Sequence, residues 1–252
     1  MALLTATSPS DWKALQEEVA AILDECGFTV ERERVFETVR GSVELDVYAE
    51  ETVNGRTYSI ACECKHWQSR VPQTVIHAFR TVVADLGVNV GYIISSNGFQ
   101  SGAFSASELT NLKLLTWEKF QEEFCNTWLE NHLSPTITNQ LDPIIACTDI
   151  LVPTWFTKVP DHEIPVLRSL REKYTPFGIL MMTFTRYARF LRTDGFPDLP
   201  LRHSIKDPFS NPDKIPDAIM DATGYRDLLG HVMEYGKTAI AEFFTVKERN
   251  NV

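Results

Sequence analysis

A strongly patterned β-hairpin constrains the fold of this chain more than any other sequence feature. Residues 42–50 alternate apolar and polar side chains, which is typical of a half-buried strand. The side chains expected on one face are Val43, Leu45 and Val47, and those expected on the other are Glu44, Asp46 and Tyr48. Asn54-Gly55 then indicates a tight turn, and residues 56–65 read as the returning strand. The sequence therefore predicts an antiparallel strand pair within the first third of the chain.

Helix and strand signals alternate around this hairpin. Apolar residues at helical spacing predict helices that begin near Trp12, Pro72, Phe99 and Trp117. Short strands are predicted at residues 29–36, 90–95 and 112–116. Strands joined through helices, together with a hairpin, favour a mixed sheet flanked by helices, so we expect an α/β fold.

The character of the sequence changes after residue 131. Residues 132–141 resemble a linker, and the segment from 142 onward contains 10 of the 13 prolines. Helices are predicted at 163–174, 176–192 and 216–245, the last interrupted near Gly224. We therefore expect a first domain at 1–131, a linker at 132–141 and a mostly helical C-terminal domain at 142–252.

Composition excludes several classes of protein. No apolar run approaches the roughly 18 residues of a membrane span, so no membrane partner is expected. Five cysteines without a CxxC pair argue against a disulfide framework and a zinc site. Cys62 and Cys64 are expected to be buried thiols, which fits a reducing cytoplasm. A formal net charge of −10 is unfavourable for a nucleic-acid-binding protein, because phosphate contacts require Lys and Arg.

Three charged residues of the hairpin form a candidate catalytic cluster. Glu63 and Lys65 share one face of the returning strand, and Asp46 on the first strand is placed to converge with them. Two carboxylates at close range raise each other's pKa, and a divalent cation such as Mg²⁺ or Mn²⁺ removes that conflict. A lysine beside a ligand could orient or deprotonate an attacking water, or stabilise developing charge. The cluster suits phosphodiester hydrolysis, although the same pattern also describes a solvated strand face.

The sequence from residue 43 to 120 resembles the Mrr-like restriction endonuclease family, part of the PD-(D/E)XK nuclease superfamily. The matching segments, in chain order, are VELDVYA at 43–49, YSIACECKHW at 58–67, VPQTV at 71–75, GYIISSNGF at 91–99 and KLLTWEKF at 113–120. With the first helix, the resemblance covers about half of the chain. It implies a restriction-endonuclease-like fold and metal-dependent cleavage of DNA.

The resemblance also implies residue roles. Asp46 and Glu63 would bind Mg²⁺ or Mn²⁺ together with the backbone carbonyl of Cys64, and Lys65 would be the catalytic lysine. Relatives place a polar residue early in the second helix, which makes Gln73 a candidate catalytic residue.

Accessory acids are less clearly placed. Glu44 is a candidate accessory acid or a solvated strand residue. Relatives often carry a glutamate near the start of the first helix, where this chain has Gln16 followed by Glu17. Either the register slips to Glu17, or the accessory residue is an amide here.

Nucleic-acid contacts are predicted in two places. His77 and Arg80 share a polar face of the second helix with Gln73. Residues 1–130 contain 19 of the 34 acidic residues but only 10 of the 24 basic ones, so the nuclease-like half is the acidic half. The basic residues Arg186, Arg189 and Arg192 lie in the other half and are candidate phosphate contacts, or else a solvated helix edge.

The sequence thus predicts a Mg²⁺-dependent endonuclease that cleaves DNA, with a role in restriction or defence. One alternative is a nuclease-fold binding or assembly protein with weak or lost cleavage. Another is an RNA-cleaving toxin, which would use the same metal chemistry. The C-terminal domain is expected to bind a protein partner or a second copy of the chain.

Overall fold

The hairpin predicted from the sequence is the centre of the fold. In the computed structural model, which describes residues 3–187, 195–205 and 211–251, it comprises β2 (Gly41–Val53) and β3 (Arg56–Lys65). Asn54 and Gly55 join them with φ angles of 51° and 76°. Positive φ at both turn residues matches the twist of the flanking strands, which explains the Asn-Gly dipeptide.

Five strands form one mixed sheet in the order β1-β2-β3-β4-β5. The other strands are β1 (Thr29–Thr38), β4 (Val90–Ser95) and β5 (Leu112–Thr116). β1, β2 and β3 pair antiparallel, whereas β3, β4 and β5 pair parallel. The predicted α/β fold with a mixed sheet and flanking helices is confirmed.

Four helices complete this part of the chain: α1 (Trp12–Glu25), α2 (Gln73–Leu86), α3 (Ser101–Ser107) and α4 (Trp117–Trp128). Asp11 caps α1 by accepting a hydrogen bond from the Ala14 N–H at 2.9 Å. One hydrophobic cluster lies between the sheet and the α2–α3 layer and includes Ala61, Ile93 and Phe79. α1 and α4 contact each other as well as the sheet.

The chain divides into two compact units, one of which is Thr7–Asn131. The other combines the first six residues with His132–Val252. Its helices are α5 (Ser134–Thr148), α6 (Ile164–Phe184), α7 (Leu201–Ser204), α8 (Asp217–Met220) and α9 (Tyr225–Arg249). Short 3-10 turns lie at Thr154–Lys158, Asp161–Glu163 and Pro212–Lys214. The prediction of a mostly helical C-terminal region is confirmed.

The predicted linker at 132–141 is wrong, because this segment is helical. A π-helical turn (Leu129–Leu133) leads into α5, which buries Ile137 and Leu141. These residues continue with Ile144 and Ile145 as one apolar stripe, so burial of the stripe outweighs the polar composition. Pro135 is the second residue of α5 and follows the π-helical turn directly, so the chain stays helical through this proline.

The helix predicted to begin at Pro176 is instead continuous with the one before it. α6 runs through Pro176, which lacks the N–H that would bond the carbonyl of Glu172. The Lys214 ammonium lies 3.4 Å from that carbonyl oxygen and supplies a donor. A proline that is compensated in this way does not end a helix.

Candidate active site

Strand pairing is interrupted at Asp46. The β1–β2 register passes from Arg32 opposite Val47 to Arg34 opposite Leu45, and it omits Glu33 and Asp46. Glu33 has a φ angle of 52°, which is rare for a non-glycine residue within a strand. On the other side of β2, pairing with β3 ends at Val47, so Asp46 has no strand partner in either register.

The interruption changes which side of the sheet the side chains of β2 face. Val47 pairs with Cys62, whereas Leu45 packs in the same cluster as Ala61. Successive residues of β3 face opposite sides of the sheet, so Leu45 and Val47 also face opposite sides. The prediction that they share one face is therefore wrong, because pairing is interrupted at Asp46 on β2 and at Glu33 on β1 and the alternation shifts there.

Asp46 is held by two hydrogen bonds. Its carboxylate Oδ2 accepts a hydrogen bond from the Cys64 N–H at 2.6 Å. In a regular strand pair, a main-chain carbonyl would be the acceptor. Its own main-chain carbonyl accepts from the Gln16 side-chain Nε2 at 2.7 Å. The carboxylate is thus fixed beside β3, within one residue of Glu63.

Glu63 and Lys65 form an ion pair on the face of β3 that carries Ala61. Their side chains are 23% and 18% exposed, so both groups are largely shielded from water. Burial raises the pKa of Glu63; the Asp46 carboxylate adds to this effect, and Lys65 opposes it. Asp46, Glu63 and Lys65 therefore lie in one cluster whose charges interact.

The neighbouring cysteines are free and buried, as expected. Burial raises the pKa of the Cys62 and Cys64 thiols, so both stay protonated at neutral pH. A protonated thiol is a poor metal ligand. Within the described residues, no group of three or more His, Cys, Asp or Glu side chains is arranged to hold a metal. A metal here would rest on two carboxylates and a main-chain oxygen.

Gln16, rather than Glu17, contacts the cluster. Gln16 is 2% exposed, whereas Glu17 is exposed and lies 3.3 Å from the Arg32 guanidinium. Both border a polar cleft of about 440 Å³, which Lys13 and Glu33 also line.

Glu44 lies outside this arrangement. It is exposed opposite Val35 of β1. Because Leu45 faces the α2 side of the sheet, its neighbour Glu44 faces away from Glu63 and Lys65.

Gln73, His77 and Arg80 lie on the exposed side of α2. The Gln73 amide lies against α3, since a Cβ built on Gly102 would come within 2.7 Å of Gln73 Oε1. Arg186 is also exposed, in the other unit, whereas Arg189 and Arg192 lie outside the described residues.

Sequence reasoning missed the loop that supports Lys65. The Lys65 ammonium lies 5.5 Å from the centre of the Trp67 ring, a cation–π distance. The Ser96 N–H donates to the Lys65 carbonyl at 3.1 Å, and the Asn97 side chain donates to the carbonyl of Gln68. The only sequence signal for this support is adjacency, because Trp67 follows Lys65 by two residues.

Residues 8–124 match the family model Mrr_cat, which is described as restriction endonuclease. This part of the chain is an Mrr-type restriction endonuclease domain. The predicted family is confirmed, and the domain belongs to the restriction-endonuclease-like nucleases.

No curated protein matches the chain. One solved structure, titled as a protein of unknown function, AF1548, is similar to it at 14% sequence identity and a TM-score of 0.38. That match covers 92% of this chain and 99% of the other. Among the described residues, no helix is long and apolar enough to cross a membrane.

Proposed function

We propose that this protein is a metal-dependent endonuclease that hydrolyses DNA phosphodiester bonds. The observation that supports this most is the coupled cluster of Asp46, Glu63 and Lys65, placed where β2 leaves β3 within an Mrr-type domain. Restriction or defence against foreign DNA is the biological role that we propose for this activity.

The residues present suit Mg²⁺ or Mn²⁺. Asp46, Glu63 and the Cys64 carbonyl are hard oxygen donors, which these ions prefer. Burial raises the pKa of Glu63, and Lys65 opposes this effect, so a bound cation would further favour the charged carboxylate. When bound, the ion supplies Lewis-acid polarisation of the phosphate and lowers the pKa of an attacking water.

The protein's own groups orient the reaction. Asp46 is fixed by the Cys64 N–H and the Gln16 amide, so its carboxylate needs little rearrangement to act as a ligand. Glu63 would hold the cation together with Asp46 and the Cys64 carbonyl. Lys65, paired with Glu63 and placed against the Trp67 ring, is positioned to orient the water or to stabilise charge on the phosphate. Gln73 is proposed to contact the substrate from the start of α2.

Cleavage assays with purified protein test this function. Plasmid DNA, linear DNA and RNA are incubated with Mg²⁺, Mn²⁺ or EDTA, beside Lys65→Ala and the control Lys113→Ala. Lys113 is matched because it also pairs with a glutamate, Glu123, and lies 5.6 Å from the ring centre of Tyr92. We expect DNA cleavage that requires metal, is lost in Lys65→Ala and is retained in Lys113→Ala.

Three results would contradict the proposal. Cleavage of RNA alone would assign the protein to the RNA-cleaving alternative. Absence of metal-dependent cleavage of every substrate would favour the binding or assembly alternative. Equal cleavage by Lys65→Ala would exclude the proposed catalytic lysine.

We further propose that the C-terminal unit binds a second copy of the chain. Ile150 and Leu151 are 91% and 85% exposed, which is unusual for adjacent large apolar residues and typical of interfaces. Light scattering would show a dimer for the wild type and a monomer for Ile150→Asp/Leu151→Asp. A monomeric wild type would instead favour a different protein partner.

A further inference from the structure

Gln16 contacts the candidate site at the main-chain carbonyl of Asp46 and not at its carboxylate. It is buried on α1, and its Nε2 donates to the Asp46 carbonyl. Asp46 is also the residue at which β2 lacks a partner in both strand registers. The amide therefore supplies a hydrogen-bond donor at the point where the sheet is interrupted.

The chemistry at this contact requires a donor. A backbone carbonyl only accepts, and an ionised carboxylate only accepts, so a glutamate at position 16 could not replace this bond. Instead it would place two acceptors in contact in a buried position, which is unfavourable for both.

The contact is coupled to the metal-binding acid. Asp46 is constrained at its carbonyl by Gln16 and at its Oδ2 by the Cys64 N–H. If the first bond is broken, the backbone of Asp46 can move, and the carboxylate then leaves the Cys64 N–H. Groups that orient a ligand in this way typically change metal affinity by about 10- to 100-fold when removed.

We propose that Gln16 is a positioning residue that fixes Asp46, and that a carboxylate at position 16 weakens the site instead of adding a metal ligand. This inference deepens the proposed function and rests on it for the metal-binding part. It gives position 16 a positioning role, whereas the family resemblance implies an accessory acid near the start of this helix.

Calorimetric titration with Mn²⁺ distinguishes the two roles. We expect Gln16→Met, which keeps the volume but has no donor, and Gln16→Glu both to bind Mn²⁺ about 10- to 100-fold more weakly than the wild type. Gln140→Glu, an exposed change of the same charge on α5, should bind as the wild type does. Equal or tighter binding by Gln16→Glu would overturn the inference, since an accessory acid adds affinity.

Amide hydrogen exchange of the metal-free protein provides a test that does not depend on metal binding. In Gln16→Met, the Cys64 N–H should exchange about twofold to tenfold faster, as expected for a weakened hydrogen bond, whereas the Cys62 N–H should not change. Faster exchange at both amides would indicate general destabilisation and overturn the inference. Unchanged exchange at Cys64 would overturn it as well.

If the proposed function is wrong, the experiments give a different set of results. A wild type that neither binds metal nor cleaves nucleic acid would reject the function, while the exchange of Cys64 in Gln16→Met would still decide the positioning role. If Gln16→Met does not fold, Gln16→His retains a donor N–H. Folding of the His variant but not of the Met variant would then support the requirement for a donor, and failure of both would reject it.

Discussion

The charged residues of the site balance each other only in part. Glu63 and Lys65 form a shielded ion pair, yet burial still raises the pKa of Glu63. Lys65 therefore offsets only part of the desolvation of Glu63.

Glu63→Gln should change how stability depends on pH. Between the ordinary pKa of 4.5 and the raised pKa, folded wild type holds a proton on Glu63 that the unfolded chain has released. Its free energy of unfolding therefore decreases, relative to that of the variant, as the pH rises through this window. Urea denaturation of both proteins in EDTA, from about pH 4 to 7, measures the difference. Parallel curves would contradict the raised pKa.

Gly102→Ala tests the role of Gln73 without changing Gln73 itself. The new Cβ would come within 2.7 Å of Gln73 Oε1, so the flexible amide must move. Stability should change by less than about 1 kcal/mol, because alanine favours a helix and the displaced group is a side-chain end. Cleavage should fall in Gly102→Ala and in Gln73→Ala, with no further decrease in the double variant. Unchanged cleavage in both single variants would remove Gln73 from the site.

Most elements of the Mrr-type domain could be predicted from local sequence signals. The hairpin follows from alternation and Asn54-Gly55, and the helices follow from apolar spacing and the Asp11 cap. The reversal at Asp46 could not be predicted, because the interruption involves Glu33 on the neighbouring strand, whose positive φ angle is not marked by a glycine. The apolar–polar alternation of the sequence is the same whether or not this reversal is present. Strand alternation alone suggested that Asp46, Glu63 and Lys65 converge, and the family resemblance distinguished a catalytic cluster from a solvated strand face.

The C-terminal helices were harder to predict, because proline usually marks a helix boundary and does not do so here. Pro135 occupies a first turn, and the carbonyl orphaned by Pro176 is bonded by Lys214. The contact from Lys214 cannot be read from the sequence near Pro176, because the two residues are far apart in the chain.

Two glycines of α9 allow a matched test of helix packing. A Cβ at Gly236 would lie 2.4 Å from Leu141 of α5, whereas a Cβ at Gly230 would meet nothing within 4 Å. We expect Gly236→Ala to destabilise the protein by about 1–3 kcal/mol through overpacking. Gly230→Ala should stabilise it by about 0.4–1 kcal/mol, because the unfolded chain loses freedom. Thermal unfolding of both variants measures this contrast, and equal effects would contradict the close packing of α5 on α9.

At the scale of the whole molecule, charge is distributed unevenly. Residues 1–130 contain 19 acidic and 10 basic residues, whereas the remainder is nearly neutral. The acidic half is the one that includes the Mrr-type domain. The proposed binding to DNA would therefore depend on bound metal, on a partner or on basic residues of the second half.

Charge reversal of Arg186, Arg189 and Arg192 tests the last of these sources. If these residues bind phosphates, the triple glutamate variant should bind DNA more weakly, and its affinity should depend less steeply on salt. The logarithmic slope should fall by about 0.9 for each phosphate that is no longer neutralised. The control variant reverses the charge of Lys158, Lys237 and Lys247, so its net charge changes by the same amount as that of the triple arginine variant. Fluorescence anisotropy at several salt concentrations measures both slopes, and an equal decrease in the two variants would indicate a general charge effect only.

The bond between Gln16 and Asp46 joins residues 30 positions apart in the chain. The hairpin, by contrast, forms from neighbouring residues and can pair early in folding. A hairpin on which α1 has not docked would contain both acids and the lysine, and Asp46 would keep its bond to the Cys64 N–H but lack the one from Gln16. The proposed nuclease activity would therefore require docking of the first helix as well as formation of the hairpin.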